Sequence, residues 1–158
     1  NINFNLNNLN NNFKISIGYV PQNIFLLNDT IESNIAFGIL HNNIDEIKVK
    51  KAAQLSELDD FIENLPGKFK TKLSDNGSNI SGGQKQRIGI ARALYNEPDL
   101  LIFDESTNSL DKITEEKIVK NIYSLGKNKN IIIVSHNMNI LSNCDKIYML
   151  ENKKLISL

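Results

Sequence analysis

Hydrophobic residues recur along this chain with the spacing of strands in some segments and of helices in others. Apolar residues alternate with asparagines at Ile2, Phe4 and Leu6, which predicts a half-exposed strand and then an Asn-rich turn that reaches Asn12. A second alternating segment predicts a strand over residues 15–20, which a proline ends. The start of the chain therefore reads as strand, turn and strand.

Later segments are apolar throughout, at residues 100–103 and 131–134. Such runs are typical of strands buried on both faces of a parallel sheet. The segments before and between these apolar runs have the spacing of apolar residues that is typical of helices. The predicted helices are 31–35 with an Asp29 cap and a Gly38 stop, 45–55, 56–64, 81–95, 114–125 with a Gly126 stop, and 137–144, before a hairpin of 146–150 and 155–156. Strands that alternate with helices predict an α/β fold with a mostly parallel sheet.

Composition narrows the classes of function. The 158 residues are 41% hydrophobic and 23% charged, which is ordinary for one globular domain with an apolar core. Eighteen acidic residues balance eighteen basic ones, so no net charge favours nucleic acid as a ligand. The single cysteine, Cys144, excludes an internal disulfide bond, and no apolar run approaches the roughly 18 residues of a membrane span.

The helix predicted at residues 81–95 opens with a candidate anion site. Ser81 and Gln84 have the spacing of a capping box, in which each side chain satisfies a backbone N–H of the other residue. Gly82 and Gly83 lie between them, although glycine costs roughly 1 kcal/mol relative to alanine inside a helix. Bare N–H groups at a helix N-terminus attract anions, so these glycines indicate a phosphate contact. A plain glycine-containing cap is the alternative.

Carboxylates follow the first buried strand directly, at Asp104 and Glu105. Ligands of open α/β sheets bind at the carboxyl ends of the strands, and neighbouring strand residues point to opposite sides. One acid can therefore hold a metal ion while the next orients a water molecule. His136 follows the second buried strand and can reach the same phosphate, and Gln22 begins a loop with its amide free.

These motifs together are similar to those of the nucleotide-binding domain of ATP-binding cassette (ABC) transporters. The similarity rests on residues 80–84, 86–94 and 101–105, with Gln22, Asp111 and His136 where the family has its Q-loop, D-loop and H-loop residues. It covers nearly the whole chain.

The resemblance implies the mostly parallel sheet core of a P-loop NTPase of ABC type, with an inserted helical subdomain and an antiparallel β edge. Residues 1–158 would then be a partial ABC ATPase domain. The helical subdomain would lie within about residues 23–95, and the α/β core would comprise residues 1–22 and 96–158.

The resemblance also implies which residues carry the chemistry. ATP and Mg²⁺ would be the ligands, with Asp104 and Gln22 at the metal ion. Glu105 would act as general base on the attacking water, and His136 would be its catalytic partner at the γ-phosphate. Gln22 would sense both metal and nucleotide.

A second group of residues would act across a dimer. Ser81, Gly82, Gly83 and Gln84 would contact the nucleotide held by a second ABC domain in a head-to-tail pair. Asp111 would lie at the nucleotide sites and couple them across the interface.

The phosphate cradle Gly-x-x-x-x-Gly-Lys-[Ser/Thr] of the family, its Walker A loop, does not occur in this sequence. In the family this loop lies upstream of the strand at 15–20. We therefore expect an N-terminally truncated piece, inactive by itself, that lacks Walker A and any transmembrane domain. Smaller departures are Ile80 in place of leucine, Asn108 to Asp111 in place of Ser-Ala-Leu-Asp, and lysine in the hairpin turn at 151–154, which leaves the turn type open.

The leading hypothesis is an ABC ATPase that drives export. Residues 23–27, 30–35 and 75–77 are most similar to export-type members with a fused permease. This hypothesis places the domain at the cytoplasmic face of a membrane, the bacterial inner membrane, through the permease. The alternatives are an ABC ATPase without a permease that acts on DNA ends or ribosomes, and a truncated binding module that hydrolyses nothing.

Overall fold

A parallel sheet of three strands is the frame on which the candidate site is built. The computed structural model describes residues 15–125 and 129–158. The strands of this sheet are β1 (Ile17–Val20), β2 (Leu100–Asp104) and β3 (Asn130–Val134). The strand predicted near the start of the chain and the Gly126 helix stop lie outside the described residues.

The register of the sheet aligns the ends of its strands. The strand order is β1-β2-β3, with Val20 opposite Phe103 and Asp104 opposite Val134. Because both pairings are parallel, the carboxyl ends of all the strands lie at one edge. The sequence prediction of a shared edge is confirmed.

Within the described residues, the sheet is buried on one face and open on the other. Leu101 and Phe103 are almost fully buried and belong to the same apolar cluster as Ile118 of the helix that follows. On the opposite face, Ile132 is 51% exposed and Val134 is 49% exposed. The prediction that these strands are buried on both faces is therefore wrong here, because the described helices cover one face only.

Six helices and three single 3₁₀ turns make up the rest of the regular structure within the described residues, and the helices supply most of the core outside the sheet. They are α1 (Ile31–Ile35), a turn at His41–Asn43, α2 (Glu46–Leu55), α3 (Asp59–Glu63), turns at Lys68–Lys70 and Asp75–Gly77, α4 (Gly82–Leu94), α5 (Lys112–Leu125) and α6 (Met138–Leu141). Helix α4 is central, since α1, α2 and β1 all pack against it. This packing fixes the start of α4 relative to the sheet.

Side-chain caps decide where two of the helices begin. Thr30 caps α1, in place of the predicted Asp29, and the Asp29 carboxylate accepts a hydrogen bond from the Thr30 N–H instead. Helix α5 begins at Lys112, ahead of the predicted start at Thr114, because the Asp111 carboxylate accepts the Thr114 N–H as an N-cap does. Asp111 is therefore part of the helix end.

The chain ends in the predicted hairpin, formed by β4 (Tyr148–Glu151) and β5 (Lys154–Ser157). Among the described residues this hairpin is a separate antiparallel sheet. Asn152 and Lys153 have φ values of 49° and 62°, the left-handed pair of a type I′ turn. Asn152 is a preferred residue at its position, and Lys153 takes the conformation for which glycine is usual.

The sheet, its flanking helices and the antiparallel pair confirm the predicted α/β class. In the ranges that the structure describes, no helix has both the length and the apolar character that crossing a bilayer requires.

Candidate active site

The edge at the carboxyl ends of the strands brings three of the predicted residues into contact. The Gln22 amide nitrogen donates to Glu105 Oε2 at 3.2 Å. His136 Nε2 lies 2.5 Å from Glu105 Oε1. Each oxygen of the Glu105 carboxylate therefore has its own partner, one from the end of β1 and one from the end of β3.

The backbone turns sharply at Glu105. Its N–H donates to the Val134 carbonyl at 2.9 Å, which continues the β2–β3 ladder one residue beyond the strand. Its φ of 47° lies in the left-handed region, which is uncommon for a residue other than glycine. The Glu105 side chain is 24% exposed, whereas the His136 side chain is 86% exposed. The carboxylate is thus partly sheltered and still open to a ligand.

Asp104 has different surroundings from those of its neighbour. Asp104 is the last residue of β2 and accepts a hydrogen bond from the Tyr19 hydroxyl at 2.9 Å on Oδ2. This hydrogen bond raises the pKa of Tyr19 above its ordinary value, so the phenol is the neutral donor. The two acids therefore contact different side chains, as the alternation of strand residues predicts.

The oxygen ligands at the carboxyl ends of the strands suit a magnesium ion that binds together with a nucleotide. Carboxylate and amide oxygens are its preferred protein ligands, and Mg²⁺ usually keeps several waters and substrate phosphate oxygens. The Gln22 nitrogen donates to Glu105, the Gln22 amide oxygen has no hydrogen bond within the described residues, and the tyrosine bond leaves Asp104 Oδ1 available. Within residues 15–125 and 129–158 there is no cluster of acids, histidines and cysteines that would hold a metal by protein ligands alone. The Asp104 carboxylate and the Gln22 amide oxygen are residue types that fit a magnesium ion bound together with a phosphate ligand.

The predicted capping box is present at the start of α4. Ser81 Oγ accepts the Gln84 N–H at 3.2 Å, and Gln84 Oε1 accepts the Ser81 N–H at 2.9 Å. A Cβ built on Gly82 would meet nothing within 4 Å, whereas one built on Gly83 would lie 3.3 Å from the Ser109 carbonyl oxygen. The helix start is thus exposed and faces the loop that precedes Asp111.

Within the described residues, no hydrogen bond joins the α4 start to Glu105 or His136. The hydrogen bonds therefore sort the candidate residues into two groups. Gln22, Glu105 and His136 form one cluster, with Asp104 beside it, while Ser81 to Gln84 form another group.

Asp111 has a structural partner in its own chain. Its Oδ1 accepts the Thr114 N–H at 3.0 Å, and this backbone hydrogen bond is the main cause that lowers the pKa of the Asp111 carboxyl. The carboxylate therefore stays ionised at neutral pH while it caps α5.

The sequence analysis did not predict the contact of Tyr19 with Asp104 or the contacts of Arg92. Arg92 donates to the carbonyl oxygens of Phe25 and Asn34 at 2.9 Å and 2.8 Å, and its guanidinium lies 4.7 Å from the centroid of the Phe37 ring. It therefore ties α4 to the segment after Gln22. Arg92 could have been singled out because it lies on a mostly uncharged helix. Tyr19 could have been singled out because the alternation of side chains along a strand points it to the same face of the sheet as Asp104.

Comparison with known proteins gives the family. A sequence model of the family described as "ABC transporter" matches residues 1–108. The chain is also similar to a solved structure titled "Structure of a bacterial Atm1-family ABC exporter with ATP bound". That match has a TM-score of 0.83 and 35% sequence identity, and it covers 89% of this chain and 24% of the other.

Curated relatives agree with this match. The chain is 38% identical over 143 residues to "ABC transporter ATM1" of Toxoplasma gondii, covering 90% of this chain and 12% of that protein. It is 36% identical to an "ATP-dependent lipid A-core flippase" of Ralstonia nicotianae, covering 89% of this chain and 24% of that protein. It is 42% identical to "Pediocin PA-1 transport/processing ATP-binding protein PedD" of Pediococcus acidilactici, covering 89% and 19%.

The chain thus spans at most about a quarter of the length of these relatives. The resemblance seen in the motifs and the predicted ABC-type α/β fold are both confirmed. By its family match over residues 1–108, this chain belongs to the ABC transporter family.

Proposed function

We propose that this chain is the ATP-binding and ATP-hydrolysing part of an ABC exporter. The observation that carries this proposal is the Glu105 carboxylate, held between Gln22 and His136 at the carboxyl edge of the sheet, with Asp104 beside it. General bases for water attack need such an oriented, partly sheltered carboxylate within reach of a phosphate site.

The residues would share the work of phosphoryl transfer to water. Glu105 takes the proton of the attacking water, and His136 and Gln22 hold its two oxygens in position. Asp104 and the Gln22 amide oxygen would hold Mg²⁺. When bound with ATP, the metal ion neutralises charge on the phosphate oxygens. His136 is exposed enough to contact the γ-phosphate as well.

The start of α4 would serve a second nucleotide site. Its N–H groups after Ser81 are exposed, and Gly82 puts no side chain in front of them, so a phosphate oxygen can approach closely. Because no hydrogen bond within the described residues links this group to Glu105, we assign it to ATP held by a second ABC domain. Asp111 and Gln84 would lie in the same head-to-tail interface.

Export and membrane association are proposed from the relatives. Their names describe a lipid A-core flippase and a pediocin transport protein, and the solved neighbour is an exporter. We infer that a permease domain holds this ATPase at the cytoplasmic face of a membrane, the bacterial inner membrane. The 158-residue chain lacks a Walker A loop, so we expect it to bind ATP weakly without the rest of that site.

The test is the Glu105→Gln variant of the complete protein. We expect steady-state ATP turnover to fall about 10²- to 10⁴-fold, the usual contribution of a positioned general base. Binding of ATP, measured by equilibrium titration, should persist because glutamine keeps the shape of the side chain.

Glu116→Gln is the matched control, since Glu116 on α5 has no ion pair within residues 15–125 and 129–158 and the same charge is removed. Its turnover should equal that of the unmodified protein. Unchanged turnover in Glu105→Gln would contradict the role given to Glu105.

A further inference from the structure

Tyr19 contacts the proposed metal-binding carboxylate from the neighbouring strand. Tyr19 of β1 lies opposite Ile102 of β2. Side chains alternate along a strand, so Asp104, two residues after Ile102, lies on the same open face as Tyr19. The phenol reaches diagonally across the strand pair and donates to Asp104 Oδ2 at 2.9 Å.

This contact restrains a side chain that has little else to hold it. In the two described ranges, Tyr19 is the side chain recorded as a hydrogen-bond donor to the Asp104 carboxylate. Without it, the carboxylate could rotate about its last side-chain bond, whose energy wells are broad. The phenol occupies Oδ2 and leaves Oδ1 as the oxygen available to a ligand.

We propose that Tyr19 is a positioning residue that orients Asp104 so that Oδ1 faces the cation bound with ATP. This inference rests on the proposed function. Hydrogen-bond partners of metal-binding carboxylates typically change metal affinity or activity about 10- to 100-fold when they are removed. A phenylalanine would suit the half-exposed strand equally well, so the fold itself gives no reason for the hydroxyl.

The experiment compares Tyr19→Phe with Tyr148→Phe in the complete protein. Both tyrosines lie on strands and are 52% and 53% exposed, and no hydrogen bond of the Tyr148 side chain is recorded in the described residues. The first readout is binding of Mn²⁺ in the presence of ATP, followed by electron paramagnetic resonance of the free ion. The second is the Mg²⁺ concentration that gives half-maximal ATP turnover.

We expect Tyr19→Phe to weaken Mn²⁺ binding and to raise the half-maximal Mg²⁺ concentration, each about 10- to 100-fold. Turnover at saturating Mg²⁺ should stay within a few-fold of the unmodified protein. Tyr148→Phe should change neither readout.

The outcomes separate this inference from the proposed function. If Asp104→Asn loses Mn²⁺ affinity while Tyr19→Phe keeps it, the role of Tyr19 is overturned and the proposed function stands. Equal losses in both tyrosine variants would also overturn it, because the effect would then follow from the strands in general. If the unmodified complete protein binds no Mn²⁺ with ATP, the proposed function itself fails.

Discussion

Glycine occurs in α4 for different reasons at positions 82 and 89. A Cβ on Gly89 would lie 2.3 Å from the Ile24 Cδ1 atom, so close packing of the helix against the segment after Gln22 explains this residue. A Cβ on Gly82 would meet open space. No contact within the described residues requires a glycine at position 82, which is what a ligand contact at that position predicts.

The substitutions Gly82→Ala and Gly89→Ala should therefore act in opposite ways. Gly82→Ala should leave the free energy of unfolding unchanged or raise it by up to about 1 kcal/mol, since alanine is the better helix former. It should also weaken ATP-dependent dimerisation, because a methyl group would stand in front of the N–H groups. Gly89→Ala should lower the free energy of unfolding by about 1 to 3 kcal/mol through overpacking.

Chemical denaturation of both variants measures the first effect, and size-exclusion chromatography with ATP measures the second. A Gly82→Ala protein that dimerises normally would show that its N–H groups are not a nucleotide contact.

At the scale of elements, the starts of β1 and β2 are joined by one acid that the sequence did not single out. Asp99 Oδ2 accepts hydrogen bonds from the N–H and the hydroxyl of Ser16 at 3.0 Å and 2.9 Å. These bonds lower the pKa of Asp99 below its ordinary value of 3.8. The contact fixes the strand register at the edge opposite the candidate active site, and with it the alignment of the carboxyl ends.

The lowered pKa of Asp99 predicts how the free energy of unfolding changes with pH. Because the folded-state pKa of Asp99 is depressed, its contribution is fully present above about pH 5 and is lost as the pH falls through the unfolded-state and then the folded-state value. We expect the unmodified protein to lose more stability between about pH 5 and about pH 2.5 than its Asp99→Asn variant.

Urea denaturation at a series of pH values measures the difference. Ser16→Ala is the companion variant, since it removes the hydroxyl donor and keeps the N–H, and it should give an intermediate pH dependence. Identical pH dependence in all three proteins would show that Asp99 titrates as an exposed aspartate does.

For the whole molecule, the sequence was sufficient where a pattern is local. Continuous apolar runs predicted β2 and β3, helical spacing predicted α2 and α4, and the capping box at Ser81 needed a spacing of only three residues. The contact of His136 with Glu105 followed from the rule that parallel strands end at one edge, whereas Gln22 was placed there by the family resemblance.

What the sequence could not supply depends on contacts between distant residues. Tyr19 and Asp104 are 85 positions apart, and their bond exists only in one register of β1 against β2. The Thr30 cap was missed because Asp29 is an equally good cap by residue type. Only the backbone conformation decides which of the two residues caps the helix. The open face of the sheet was missed because apolar strands predict burial without saying what covers them.

Protection from hydrogen exchange should be unequal across the fold. The residues of β4 and β5 are exposed along their whole length and form their own sheet, whereas α4 is packed by α1, α2 and β1. Elements with few buried contacts open at lower free energy. We expect hairpin amides to exchange at least about tenfold faster than those of α4 and β2.

Hydrogen exchange followed by mass spectrometry on the complete protein tests this order, with β2 as the internal reference. Equal protection of the hairpin and β2 would mean that the complete protein covers both elements alike.

The Asp111 cap on α5 links the stability of this helix to contact with a neighbouring subunit. The Asp111 carboxylate is engaged with the Thr114 N–H inside its own chain. A neighbouring subunit that draws this carboxylate to itself leaves that N–H without its acceptor, and the loss of an N-cap destabilises a helix. Arrival of the neighbour would then lower the stability of the first turn of α5.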